Sequence, residues 1–140
     1  MRPSTLAKKI AELTLTRKAN DVITMDLRGL TSMADFFVIC SADSDVQVKA
    51  IADAVEEGME KEGIAPWHME SGSANWILLD YVDVVLHVFH KNTRPFYSLE
   101  RLWGDAKVRR IAEEAERASR RGSRVLRRAG TTRPRRTVAT

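Results

Sequence analysis

The sequence predicts an α/β (α+β) fold, in which helices pack on a mixed five-stranded sheet. Two long segments repeat apolar residues every three or four positions, as helices with one buried face do. Five shorter segments alternate apolar and polar residues or are apolar throughout, as strands are. The last three strand segments are joined by short links, which indicates antiparallel neighbours. With a short helix at the end, the predicted order is α-β-β-α-β-β-β-α.

The first helix is predicted over Ser4–Lys18, with Ser4 as its cap. Its large apolar residues share one face and are Leu6, Ile10 and Leu13. The first strand covers Ile23–Leu27, where apolar and polar residues alternate before a turn at Arg28–Gly29. The second strand, Phe36–Cys40, is apolar throughout, and such a strand is expected near the centre of a sheet that is covered on both faces.

The second helix is predicted over Ser44–Glu62, because Ser44 and Gln47 have the spacing of a capping box and Gly63 stops the helix. This long helix is expected to cross the sheet. The three strands predicted after it are Pro66–Glu70, Asn75–Asp80 and Val82–His90. A short helix over Pro95–Trp103 begins at a proline and closes the domain.

The charge of the chain is divided between two parts. Residues 1–104 contain 11 Lys+Arg and 15 Asp+Glu, whereas residues 105–140 contain 12 and 4. We therefore predict a folded domain over 1–104 and a basic, largely disordered extension over 105–140, in which Asp105–Ala118 can continue as a charged helix. Because the basic excess belongs to the extension, any contact with nucleic acid is expected there.

The composition predicts a soluble protein of a reducing, cytoplasmic compartment. Cys40 is the one cysteine of the chain, so it has no intramolecular disulfide partner. It ends the most apolar strand, where a thiol packs as a small hydrophobe and is a poor nucleophile. No window of the sequence approaches the roughly 20 apolar residues of a membrane span, and no signal-peptide core is present.

One set of carboxylates raises the question of catalysis. Asp43 and Asp45, with Asp83 on a later strand, resemble the three carboxylates with which nucleotidyltransferases hold divalent metal ions. The alternative is helix capping, because Asp43 and Asp45 stand where a helix begins and short acidic side chains stabilise its free amide groups. Since no glycine-rich loop or Walker lysine precedes them, we favour capping and predict that the protein is not an enzyme.

The three histidines do not indicate a metal site. His68, His87 and His90 show none of the familiar metal-ligand spacings, and His87 and His90 lie on opposite faces of one strand. We therefore predict neither a metal nor a cofactor.

The segment Asn75–Phe89 is predicted to provide a protein-binding surface. Both faces of its first strand carry large apolar groups, so one face needs a cover other than the helices that pack on the sheet. An apolar cluster edged by carboxylates is typical of a binding hot spot. The residues of this cluster are Trp76, Leu78, Asp80, Tyr81 and Asp83. The alternative for Trp76 is that a helix of the same chain packs on it.

Three motifs together resemble the ribosomal silencing factor family (RsfS, also called Iojap). They are ADFFVICSA at Ala34–Ala42, WILLDYVDVVLHVF at Trp76–Phe89 and RPFYSLERLW at Arg94–Trp103, and they occur in the order and at the spacing of that family. Two departures are visible. Asn75 stands where an acidic residue is frequent, and Val82 stands where a glycine is frequent.

The resemblance implies a sheet with nucleotidyltransferase-like topology and a function without turnover. Members of the family bind the large ribosomal subunit through its fourteenth ribosomal protein. They block joining of the small subunit and repress translation when nutrients are limited. By matching positions, the contact is expected at the cluster around Trp76, with support from Arg94 and Tyr97. A homodimer is a further alternative for the free protein, because the same surface can pair with its own copy.

The basic extension lies outside the part that carries the resemblance. One interpretation is contact with phosphates of ribosomal RNA, and the alternative is a solvated, disordered segment. The residues expected to make the RNA contact are Arg117, Arg120, Arg121, Arg124, Arg127 and Arg128.

Overall fold

The structure, a computed structural model, describes residues 1–73, 75–93 and 104–111. These residues form two helices and six strands in the order α-β-β-α-β-β-β-β. The helices are α1 (Pro3–Leu15) and α2 (Asp45–Glu60). The strands are β1 (Asn20–Asp26), β2 (Phe36–Ala42), β3 (His68–Ser73), β4 (Trp76–Asp80), β5 (Val84–His90) and β6 (Lys107–Arg110).

The six strands form one mixed sheet in the order β3-β4-β5-β2-β1-β6. Strands β2 and β5 are parallel, and the other neighbours are antiparallel. All seven residues of β2 are buried, which confirms the prediction of a central strand from its apolar run. The short links between β3, β4 and β5 also produce the antiparallel pairs that were predicted.

The two faces of the sheet have different covers. Helices α1 and α2 pack on one face, which we call the helix face; α1 lies against β1, β2 and β5, and α2 lies against β2, β4 and β5. The opposite face, which we call the far face, has its own apolar cluster. Its buried members include Ile23, Met25, Phe37, Ile39, Val85 and Phe89, and Trp76 and Leu78 pack at its margin.

The predicted count of five strands is wrong, because β6 adds a sixth at the edge of the sheet. It pairs antiparallel with β1, from Asp26 opposite Lys107 to Ile23 opposite Arg110. All four of its residues are exposed, so no alternation of buried and exposed side chains marks it in the sequence. Backbone pairing with the free edge of β1 decides its conformation, and the charged helix considered for this stretch is replaced by a strand over residues 107–110. The helix predicted over Pro95–Trp103 lies outside the described residues.

The ends of the helices follow local backbone chemistry. The Ser44 hydroxyl accepts a hydrogen bond from the Gln47 amide at 3.1 Å, as predicted. The Gln47 side-chain oxygen accepts from the Asp43 amide at 2.7 Å, which completes a capping box shifted by one residue. Helix α1 begins at Pro3, one residue before the predicted cap, because proline holds the helical φ and needs no amide partner there. Neither described helix is long and apolar enough to cross a membrane.

Candidate functional site

Aromatic rings from three strands stack on the far face. The ring centroids of Trp76 and His87 are 6.1 Å apart with planes 3° from parallel. Phe89 lies 5.8 Å from Trp76 and 6.0 Å from His87, also nearly parallel to both. Phe37 meets His87 edge-on at 4.8 Å. We call these four residues the aromatic stack; it joins β2, β4 and β5 at the middle of the sheet.

His87 is buried within this stack and is 5% exposed. Among the described residues, neither of its ring nitrogens has a hydrogen-bond partner. Burial disfavours the imidazolium and lowers the pKa of His87 to about 4. At neutral pH His87 is therefore an uncharged ring that packs as an aromatic residue. Its two-residue spacing from Phe89 was the one signal in the sequence for this position.

Trp76, Leu78 and Asp80 share the far face, as predicted from their alternation along β4. The register places Trp76 opposite Phe89, Leu78 opposite His87 and Asp80 opposite Val85. All three side chains are half-buried. One side of the Trp76 indole therefore rests on the aromatic stack while part of it stays accessible. The two described helices pack on the opposite face, so neither of them covers Trp76.

Tyr81 lies on the helix face and belongs to the core there, contrary to its predicted place beside Trp76. It is 6% exposed, and its hydroxyl has no hydrogen-bond partner among the described residues. Burial, followed by the nearby Glu56 carboxylate, raises the pKa of Tyr81 to about 12. The physical reason is strand alternation, because Tyr81 follows Asp80 and so points to the same side as Ile77 and Leu79.

The remaining residues of the predicted surface have different positions. Asp80 accepts a hydrogen bond from the Val82 amide at 2.7 Å and thereby holds the corner between β4 and β5. Asp83 is exposed at that corner. Arg94 and Tyr97, and the six arginines of the predicted RNA contact, lie outside the described residues. Trp76, Leu78, Asp80 and Asp83 thus remain as the described members of the site.

The carboxylates considered for metal binding are far apart. Asp43 follows β2, which ends opposite His90, whereas Asp83 precedes β5, which begins opposite Phe36. Since β2 and β5 are parallel and seven residues long, the two carboxylates lie at opposite ends of the strands, roughly 20 Å apart. Asp43 instead accepts a hydrogen bond from the Asn20 amide group at 3.1 Å and lies 3.9 Å from the Lys91 ammonium.

The described residues contain no group of three His, Cys, Asp or Glu side chains that could hold a metal ion. Asp45 lies in the first turn of α2, where its negative charge interacts favourably with the positive end of the helix dipole. Together with the bonds of Asp43, this position supports a structural role for the acidic pair.

The sequence matches the family described as ribosomal silencing factor during starvation over residues 1–135. The chain belongs to the ribosomal silencing factor family. It is 41% identical to the ribosomal silencing factor RsfS of Bacillus subtilis (strain 168) over 107 residues, which are 76% of this chain and 91% of that protein. The chloroplastic protein Iojap of Zea mays is 35% identical over 101 residues, which are 72% of this chain and 42% of that protein.

The fold is also similar to that of solved structures. A crystal structure of a protein from Chromobacterium violaceum matches with a TM-score of 0.71 at 33% identity and covers 74% of this chain and 88% of that one. A second, from Bacillus halodurans, matches with a TM-score of 0.61 at 38% identity over 71% and 91% of the two chains. These likenesses confirm the predicted fold class.

Val82 has a backbone conformation that glycine adopts more readily than valine. Its φ is +73°, in the left-handed region that β-branched residues rarely adopt. The corner is held in this shape by the bond from the Val82 amide to Asp80 and by a second bond from the Asp83 amide to the Tyr81 carbonyl at 2.9 Å. Such a backbone costs a non-glycine residue about 1–2 kcal/mol. In this chain the tight corner forms with valine instead of glycine, and the backbone of Val82 is therefore strained.

Replacing Val82 with glycine should raise the free energy of unfolding by roughly 0.5–1 kcal/mol, because relief of the strain exceeds the entropy that glycine adds to the unfolded chain. Chemical denaturation measures this change. The matched control is Val46→Gly, at an exposed valine in the first turn of α2, which should lower stability because glycine disfavours a helix. A loss of stability in Val82→Gly would show that the corner is not strained.

Strand β6 gives this member of the family a basic edge that the sequence did not predict. Lys107, Arg109 and Arg110 are exposed on it. Lys107 faces Asp26 across the strand pair, and its charge helps to lower the pKa of Asp26, although the hydrogen bond from Arg28 has the larger effect. The basic character of the extension thus begins within the sheet. The basic residues of β6 are visible in the sequence as KVRR, but charge alone does not indicate a strand.

Proposed function

We propose that this protein is a ribosomal silencing factor that binds the large ribosomal subunit through its fourteenth ribosomal protein. In the bound state it blocks joining of the small subunit and represses translation when nutrients are limited. Membership of the ribosomal silencing factor family, with 41% identity to the Bacillus subtilis protein, is the observation that carries this proposal. The description of the family names starvation as the setting.

The contact surface we propose is the accessible margin of the far face. Trp76 and Leu78 provide apolar area there, and the half-buried Asp80 and the exposed Asp83 provide negative charge at one end. An apolar centre with an acidic rim suits a basic ribosomal protein, because opposite charge raises the association rate and buried aromatic area slows dissociation. An interface of about 800 Å² per partner would be sufficient.

The mechanism we propose is steric occlusion without chemical turnover. Asp43 and Asp45 lie at the N-terminal end of α2, and Asp83 lies at the other end of the sheet. The described residues therefore offer no assembled set of carboxylates for nucleotidyl transfer. The protein would act in the cytoplasm, and the extent of inhibition would be proportional to the number of large subunits that it occupies.

Sedimentation of ribosomal subunits tests the proposal. Purified large and small subunits are mixed with and without the protein, and the gradients are analysed for joined ribosomes and for the position of the protein. We expect the protein to sediment with the large subunit and the joined ribosomes to decrease. Joining that is unaffected by a saturating amount of folded protein would contradict the proposal.

A second element of the proposal is that the basic end of the chain contacts ribosomal RNA. Strand β6 presents Lys107, Arg109 and Arg110 at the sheet edge, and the sequence continues into the arginines from Arg117 onward. Phosphate contacts make binding salt-dependent, because each contact releases condensed counterions. The basic edge and the extension would then steer the protein onto the subunit.

Deleting residues 112–140 should weaken binding to the large subunit and make this binding less dependent on salt. The slope of log K against log salt should become shallower by about 0.7–0.9 for each phosphate contact that is lost. The deletion begins after Ile111 because a cut at Gly104 would also remove β6 from the sheet. Binding is measured over a series of salt concentrations. An unchanged slope would favour the solvated, disordered alternative for the extension.

A further inference from the structure

A group of exposed apolar side chains lies at the edge of the sheet that is opposite to β6. Trp67 is 75% exposed, Met69 is 52% exposed and Val82 is 57% exposed. The Trp67 amide donates a hydrogen bond to the Asp80 carbonyl at 2.8 Å, and Val82 follows Asp80 by two residues. Trp67 and Val82 therefore lie at the same corner of the sheet. We call Trp67, Met69 and Val82 the β3 corner.

Helix α2 leaves the β3 corner largely exposed. Helix α2 packs against β2, β4 and β5, and the register places Met69 opposite Leu79, which is part of the core on the helix face. Met69 thus points to the side where α2 lies, yet half of it is exposed. Strand β3 is also the last strand of the sheet, and no described strand pairs with its outer edge. Among the described residues, no strand pairs with its outer backbone groups, and apolar side chains are exposed beside them.

The charges around the β3 corner are negative. Glu70 on β3 is exposed on the far face, opposite Leu78, and Asp83 is exposed beside Val82. On the helix face, Glu56 of α2 adds to the effect of burial in raising the pKa of Tyr81 and therefore lies near it. His68 lies 3.2 Å from the Glu70 carboxylate. An acidic rim repels phosphate groups and favours a partner rich in lysine or arginine.

We propose that the β3 corner accepts an extended, lysine- or arginine-rich segment of a protein of the large ribosomal subunit as an added strand. Backbone hydrogen bonds to the outer edge of β3 supply affinity, Trp67 acts as the anchor and the acidic side chains select a basic segment. The strained φ of Val82 supports this assignment, because it places an apolar side chain on the surface at a cost to stability. The inference rests on the proposed function and adds a second contact to it.

The same charges disfavour two other occupants. Ribosomal RNA would bring phosphates against Glu70 and Asp83. A second copy of this chain, paired through β3 about a two-fold axis, would bring its own acidic rim against the first. Like charges that face each other across such a pair destabilise it.

The test measures binding of purified large ribosomal subunits to the full chain and to variants of the β3 corner. We expect Trp67→Ala to weaken binding about tenfold and Trp67→Ala with Met69→Ala to weaken it further, since a buried anchor contributes at least this much. The matched control is Met33→Ala, at a methionine that is 75% exposed in the connection between β1 and β2. It should bind as the unaltered chain does. Val82→Gly should weaken binding while stabilising the fold, which separates contact from folding.

The outcomes distinguish this inference from the proposed function. If the unaltered chain binds the large subunit and all variants bind equally well, the proposed function stands and the β3 corner is not a contact. If the unaltered chain does not bind, both proposals fail. A photoreactive benzoylphenylalanine at position 67 identifies the neighbour. Cross-linking to a lysine- or arginine-rich protein segment supports the inference, whereas cross-linking to RNA or to a second copy overturns it.

Discussion

Lowering the pH from 7 to 4 should reduce the free energy of unfolding by about 3 kcal/mol through His87 alone. The pKa of this histidine is about 4 in the folded protein, against 6.5 in an unfolded chain. Between these values the unfolded state binds more protons than the folded state, so stability falls as the pH falls from 6.5 to 4. The cause is burial, since the described residues provide no hydrogen-bond partner for an imidazolium at this position.

Denaturant unfolding at a series of pH values, compared with His87→Phe, isolates this contribution. The variant keeps an aromatic ring in the aromatic stack and removes the titrating group, so its stability should depend less steeply on pH between 6.5 and 4. Carboxylates contribute to the acid slope of both proteins, and the difference between them belongs to His87. The matched control, Ile39→Val, alters packing opposite His87 in the same apolar cluster without removing a titrating group and should keep the slope of the unaltered chain. Equal slopes for His87→Phe and the unaltered chain would mean that His87 is protonated without penalty in the fold.

Replacing Trp76 with alanine should weaken association with the large subunit by at least about 2 kcal/mol, a factor of roughly 30. The half-buried indole is held flat against His87 and Phe89, so it is pre-oriented and loses little conformational entropy on binding. Binding affinity and inhibition of subunit joining, measured on the same preparation, should decrease together.

Trp76→Ala will also lower the stability of the fold, because the indole packs on the aromatic stack. The control for this effect is Ile51→Val, at a fully buried residue of α2 on the helix face, which should cost about 0.5–1.5 kcal/mol of stability and leave binding unchanged. Asp80→Lys gives a third comparison, since charge reversal at the rim should slow association most strongly at low salt. If Trp76→Ala is folded and binds as tightly as the unaltered chain, the contact lies elsewhere.

Much of the candidate site was predictable from alternation along single strands. The face shared by Trp76, Leu78 and Asp80 follows from a side-chain period of two, and the structure places them there. The same rule assigns Tyr81 to the opposite face, where the structure places it in the core, so its inclusion in the predicted surface was wrong. The place of His87 next to Trp76 was not predictable, because it depends on the register between β4 and β5.

The amino-acid sequence alone determined the fold class, both described helices, the central position of β2 and the membership of the family. Each of these follows from apolar periodicity or from motifs that are local in the chain. Only the tertiary structure decided that β6 joins the sheet beside β1, that Asp43 and Asp83 lie at opposite ends of β2 and β5, and that Trp67 and Met69 stay exposed. These facts depend on which strands pair and on what packs against them, and pairing between distant segments leaves no periodic signal in either segment.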